Sequence, residues 1–70
     1  MNEIEISLKI SSKLEFLMKT KKVKGTEIAK TIPMTGENFS YHRNELKKGN
    51  LPSSRFLVGI TKYFDENFLD

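Results

Sequence analysis

Residues 26–39 read Thr-Glu-Ile-Ala-Lys-Thr-Ile-Pro-Met-Thr-Gly-Glu-Asn-Phe, and this stretch decides the fold. Thr26 is an N-cap candidate, and Glu27 follows where an acid suits the positive end of a helix dipole. Ile28, Ala29 and Ile32 give a short apolar face. Pro33 ends it, because proline disfavours the α region for the residue before it. The pattern predicts a helix over 26–32. Thr35 is the next cap, with Gly36, Glu37 and Asn38 in the first turn behind it. Phe39 and Leu46 stand at i and i+7 on the inner face, with His42 and Arg43 between them. Gly49 is a natural C′ residue after Lys47 and Lys48, so this helix is predicted over 36–48. A short helix, a tight turn and a capped second helix follow the order of a helix-turn-helix. A close crossing of the two helices favours a small residue, and Ala29 is one.

The flanks extend the helical pattern. Ile10, Leu14, Leu17 and Met18 fall on one helical face, which predicts a helix over 11–21. Ser11 or Ser12 is its cap, Glu15 completes a capping box from Ser12, and Lys19, Lys21 and Lys22 suit its C-terminal end. Before it, Glu3-Ile4-Glu5-Ile6-Ser7-Leu8-Lys9-Ile10 alternates with the period of a half-buried strand. A lone strand needs a partner. Residues 1–9 therefore read as a strand, an extended arm or an early helical turn, apart from a domain over 10–70. Downstream, Ser53 caps a helix with an apolar stripe of Phe56, Leu57, Ile60, Tyr63 and Phe64. Gly59 inside that helix costs about 1 kcal/mol against Ala, which implies that another element comes close there. Asp65 opens a final short turn in which Phe68 and Leu69 fold back on the core. The expected class is all-α with five short helices. Its predicted core is Ile10, Leu14, Leu17, Ile28, Ala29, Ile32, Phe39, Leu46, Phe56, Leu57, Ile60, Phe64 and Phe68.

Composition narrows the functional classes. Seventy residues make one small domain. A net charge of +3 permits an anionic partner without requiring one. Cysteine is absent and there is one His, so disulfides, thiolate zinc sites and His-rich metal sites are not expected. No apolar run approaches the roughly 20 residues that span a bilayer, and the N-terminus has no signal-peptide pattern. A cytoplasmic protein without a membrane partner is the expectation. Paired carboxylates, a nucleophile with its base and a Gly-rich phosphate loop are all missing, so neither an enzyme nor a cofactor is expected.

From Ile10 to Leu69 the chain resembles the lambda-repressor-like (Cro/cI-type, XRE) helix-turn-helix family. Ile10-Ser11-Ser12-Lys13-Leu14 looks like the start of the first helix in lambdoid phage repressors. Glu27-Ile28-Ala29-Lys30 matches the family's second-helix pattern of acid, Leu or Ile, Ala, polar. Thr35-Gly36-Glu37-Asn38-Phe39-Ser40 stands where the family has a cap, three exposed residues, a core position and a polar one. Arg55-Phe56-Leu57 resembles the opening of the fourth helix, and Phe64-Asp65-Glu66-Asn67-Phe68-Leu69 the closing fifth. Three features depart from the pattern. Pro33 replaces a turn glycine, the third helix is about one turn longer, and Met18 stands where the family has the Arg of a buried Arg–Glu pair.

The resemblance implies a small transcriptional regulator of phage, plasmid or mobile-element type, a repressor-like protein of a bacterial or phage-infected cell. Its third helix would enter the major groove of double-stranded DNA. Carried over by position, Thr35, Gly36, Glu37, Asn38, Tyr41 and Asn44 are the base-contacting candidates. Asn suits adenine and Glu suits the cytosine amine. Lys24, Gly25, Thr26, Arg43, Lys47, Lys48 and Arg55 are the phosphate-contacting candidates. Each has a plainer alternative. Thr35 and Asn38 serve as cap residues, Tyr41 leans on the second helix, Arg43 pairs with Glu15, and Arg55 is a surface residue. A homodimer on palindromic DNA is expected, with no small-molecule effector. Its candidate interface is Ile4, Ile6 and Leu8 in the arm and Phe68 and Leu69 at the other end. The rival function is a protein-interaction module, such as an antirepressor, antitoxin component or phage-encoded inhibitor.

Overall fold

Asn2, rather than a serine, starts the first helix: its Oδ1 accepts the Glu5 N–H at 2.8 Å. The structure, a computed structural model, describes residues 2–69, so Met1 and Asp70 lie outside it. Its elements are α1 (Glu3–Thr20), α2 (Gly25–Thr31), α3 (Gly36–Lys47) and α4 (Ser54–Phe64). The chain is all-α, with four helices and no strand among the described residues.

The expected strand or arm is therefore the opening of α1, and no boundary falls between residues 9 and 10. The alternation is compatible with either period, and burial shows which one holds. Ile6 and Ile10 are i and i+4 on the inner face with Ser7 and Ser11, whereas Ile4 and Leu8 stay exposed. Glu3 and Glu5 occupy the first turn, where acids complement the dipole. Ser11 and Ser12 lie mid-helix, which removes the expected capping box.

α1 packs on α3, and α2 packs on both α3 and α4. One core cluster joins all four helices through Ile10, Leu14, Ile28, Phe39, Phe56 and Ile60 among others. Met18 belongs to it, while Ile32 and Leu57 are only half-buried on its edge. Three helix ends close in the same way, with a left-handed residue just past the helix; at the end of α4 it is Asp65, and Glu66 N–H reaches Thr61 O at 3.2 Å. After α1, Lys22 takes a left-handed φ of 54° and Val23 N–H reaches Met18 O at 3.0 Å. After α3, Gly49 at φ 91° lets Asn50 N–H reach Glu45 O at 2.9 Å.

The fifth helix is not formed: residues 65–69 are irregular, with a turn at Asp65 and a bend at Phe68. Asp65, left-handed at φ 52°, turns the chain away from the α4 axis, and Phe68 then sinks into the core beside Phe64. Lys13 holds this return, donating to Asn67 O at 2.6 Å and pairing with Glu66 at 3.3 Å. Phe68 is thus spent on its own core, which removes it from the expected dimer surface, and Ile6 is half-buried against that core. Among the described residues no helix is long and apolar enough to cross a membrane.

Candidate nucleic-acid interface

α3 begins where Thr35 Oγ1 accepts the Asn38 N–H at 3.1 Å. Phe39 and Leu46 are buried to 1% and 0%, so at about 100° per residue the opposite face carries Glu37, Tyr41 and Asn44. These three, with Thr35 and Gly36, line one shallow open cleft; Thr26 of α2 closes one side and Ser40 adds a hydroxyl. Gly36 permits this closeness, since a Cβ there would stand 3.3 Å from Thr26 Cγ2. Five of the six base-contacting candidates therefore share one surface. Asn38 does not line it and stands exposed on the flank. Tyr41 is 60% exposed, and its ring meets His42 edge-on at 5.4 Å. His42 in turn stacks at 5.3 Å on Phe56.

The α2–α3 turn differs in mechanism from the expected one. Ile32 keeps helical angles, φ −70° and ψ −26°, directly before Pro33. The helix ends because Pro33 has no N–H to continue the ladder, not because its predecessor leaves the α region. Ala29 O then accepts both Ile32 N–H at 3.3 Å and Met34 N–H at 2.8 Å. No residue of the turn has a positive φ. Arg55 of α4 donates to Pro33 O and anchors the turn from outside. Across from it, Gly59 makes room for Ile32.

Most of the phosphate-contacting candidates have partners inside the chain. Arg43 grips Glu15 with two bonds, Nε to Oε2 at 2.6 Å and Nη2 to Oε1 at 2.7 Å. The Arg43 hydrogen bond holds the Glu15 carboxyl below its ordinary range, with partial burial opposing and Lys47, 3.8 Å away, adding a smaller pull. Arg43 thus ties α1 to α3, the pairing that stood as its alternative. Lys48 pairs with Glu45 at 3.1 Å, and that bond lowers the half-buried Glu45 carboxyl. Arg55 serves the turn. Thr26 does not cap α2: the N-cap is Lys24, without a side-chain bond, and Thr26 lies in the first turn. Lys24 and Gly25 edge a depression with Glu15 and Arg43, and Lys19 joins them there. Sequence reasoning missed Lys19 and Ser40 as neighbours of these sites, since their closeness depends on how three helices meet. Among the described residues no group of three or more His, Cys, Asp or Glu is placed to hold a metal.

No family model, no curated protein and no solved structure matches the chain.

Proposed function

We propose that this chain is a lambda-repressor-like helix-turn-helix domain that binds double-stranded DNA in a sequence-specific way and acts as a small transcriptional regulator. The outer face of α3 would enter the major groove. The observation that carries the reading is the cleft formed by Glu37, Tyr41 and Asn44 with the capped start of α3. Its polar and aromatic groups are of the kinds that read base edges, and Glu37, Tyr41 and Asn44 stand opposite the buried face of the helix. Lys24 and Lys47 flank the same helix pair and suit the phosphate backbone. A homodimer would supply the second half-site that one short helix lacks.

One observation favours the rival reading, a protein-interaction module. Arg43, Lys47, Lys48 and Arg55 are engaged within the chain, and an acid, Glu37, lies in the middle of the outer face. Selection from a randomised duplex pool, followed by gel shift, decides between them. Under the DNA reading one sequence is enriched, and Asn44→Ala weakens binding to it by about 1–3 kcal/mol while leaving random duplex unchanged. Lys24→Ala weakens both alike and flattens the log–log salt slope by about 0.9. A pool from which no sequence is enriched sinks the DNA reading.

A further inference from the structure

The outermost stripe of α1 has a symmetry of its own. Glu5, Leu8, Ser12, Phe16 and Lys19 are all exposed, and Phe16, at 63%, is among the most exposed large apolar side chains. They stand four and seven residues either side of Ser12. On a helix, steps of four and seven return to within about 40° and 20° of the start, so all five share one stripe. The neighbouring apolar residues do not belong to it. Ile6 packs on the core, and Ile4 lies over Gly49, where an added Cβ would come within 3.1 Å of it.

We propose that this stripe is a homodimer seam, occupied by α1 of a second copy lying antiparallel across a two-fold axis at Ser12. The operator that reverses the helix maps each position onto its mirror about residue 12. Leu8 then meets Phe16 of the partner, and Phe16 meets Leu8, in two apolar layers. Glu5 meets Lys19 of the partner, and Lys19 meets Glu5, in two ion pairs that close the ends. Ser12 faces its own copy, and its small side chain lets the helices approach. The opposite arrangement is disfavoured by charge: parallel α1 helices in register would set Glu5 against Glu5 and Lys19 against Lys19. Charge complementarity and the mirrored order therefore select a second copy of this chain, in one orientation. Five residues a side form less than the roughly 800 Å² per partner of a standard interface, so the dimer is reversible and concentration-dependent. The inference stands whether or not the chain binds DNA.

The test is sedimentation of the full chain over a concentration series, with helicity checked by circular dichroism. Glu5→Lys and Lys19→Glu should each raise the dimer dissociation constant at least tenfold. An equimolar mixture of the two variants should associate again, because each carries the charge that the other has lost. Ser12→Cys supplies a second measurement, since the chain has no other cysteine: mild oxidation should trap a covalent dimer rapidly. A chain monomeric at every concentration overturns the proposal. So does a dimer indifferent to both charge reversals, a mixture that associates no better than its components, or a Ser12→Cys protein that does not cross-link.

Discussion

Gly59→Ala should destabilise this protein, although the same change in an ordinary helix interior stabilises by about 1 kcal/mol. The reason is local. A Cβ at position 59 would lie 2.5 Å from Ile32 Cγ1, 2.9 Å from Cδ1 and 3.1 Å from Cγ2. Ile32 cannot yield by moving a distant tip, because two of these atoms are bonded to its own Cβ and its χ1 is stiff. Its backbone is also held, by the bond to Ala29 O on one side and by Pro33, anchored to Arg55, on the other. Overpacking of this kind costs about 1–3 kcal/mol, and the shortest distance places Gly59 at the upper end. Subtracting the helix-propensity gain leaves a net loss of about 1–2 kcal/mol. Urea unfolding followed by far-UV circular dichroism measures it. In an Ile32→Ala background the obstacle is gone, and Gly59→Ala should there recover its ordinary gain of about 1 kcal/mol. If Gly59→Ala stabilises the wild-type chain by that same amount, the close approach of α4 to Ile32 is wrong.

Two further outcomes are expected. Ser7 is fully buried and its hydroxyl has no hydrogen-bond partner among the described residues, so Ser7→Ala should stabilise by about 1 kcal/mol in the same assay; a loss of stability would reveal a partner for that oxygen. Arg43→Met should cost about 1 kcal/mol at neutral pH, a value held down by solvent screening of a pair that is about one-third exposed. The Glu15 carboxyl is depressed in the folded state, so the pair's contribution is complete above the ordinary value of 4.5 and fades as pH falls through the lower folded value. A wild-type-to-variant difference that persists undiminished in strong acid would refute that origin.

What the sequence determined by itself is local chemistry repeated at helical spacing. The caps Thr35 and Ser53, the inner pair Phe39 and Leu46, the stop at Pro33 and the glycine at 49 are each set by near neighbours in the chain, and each was legible there. The outer positions Glu37, Tyr41 and Asn44 follow from the same periodicity, so most of the candidate site was legible too. The opening residues were not. Glu3 to Ile10 alternate as a strand would, and the Asn2 cap together with burial of Ile6 and Ser7 on the inner face selects the helix. The closing segment was legible in part: Phe68 folds back on the core as its apolar character implied, but residues 65–69 do not form the expected fifth helix. Tertiary structure also decided which cations are free. Twenty-eight residues separate Glu15 from Arg43 and twenty-two separate Pro33 from Arg55, and no local rule reaches across such distances. A charge can be counted from the sequence, but whether another residue has already claimed it depends on how the helices meet.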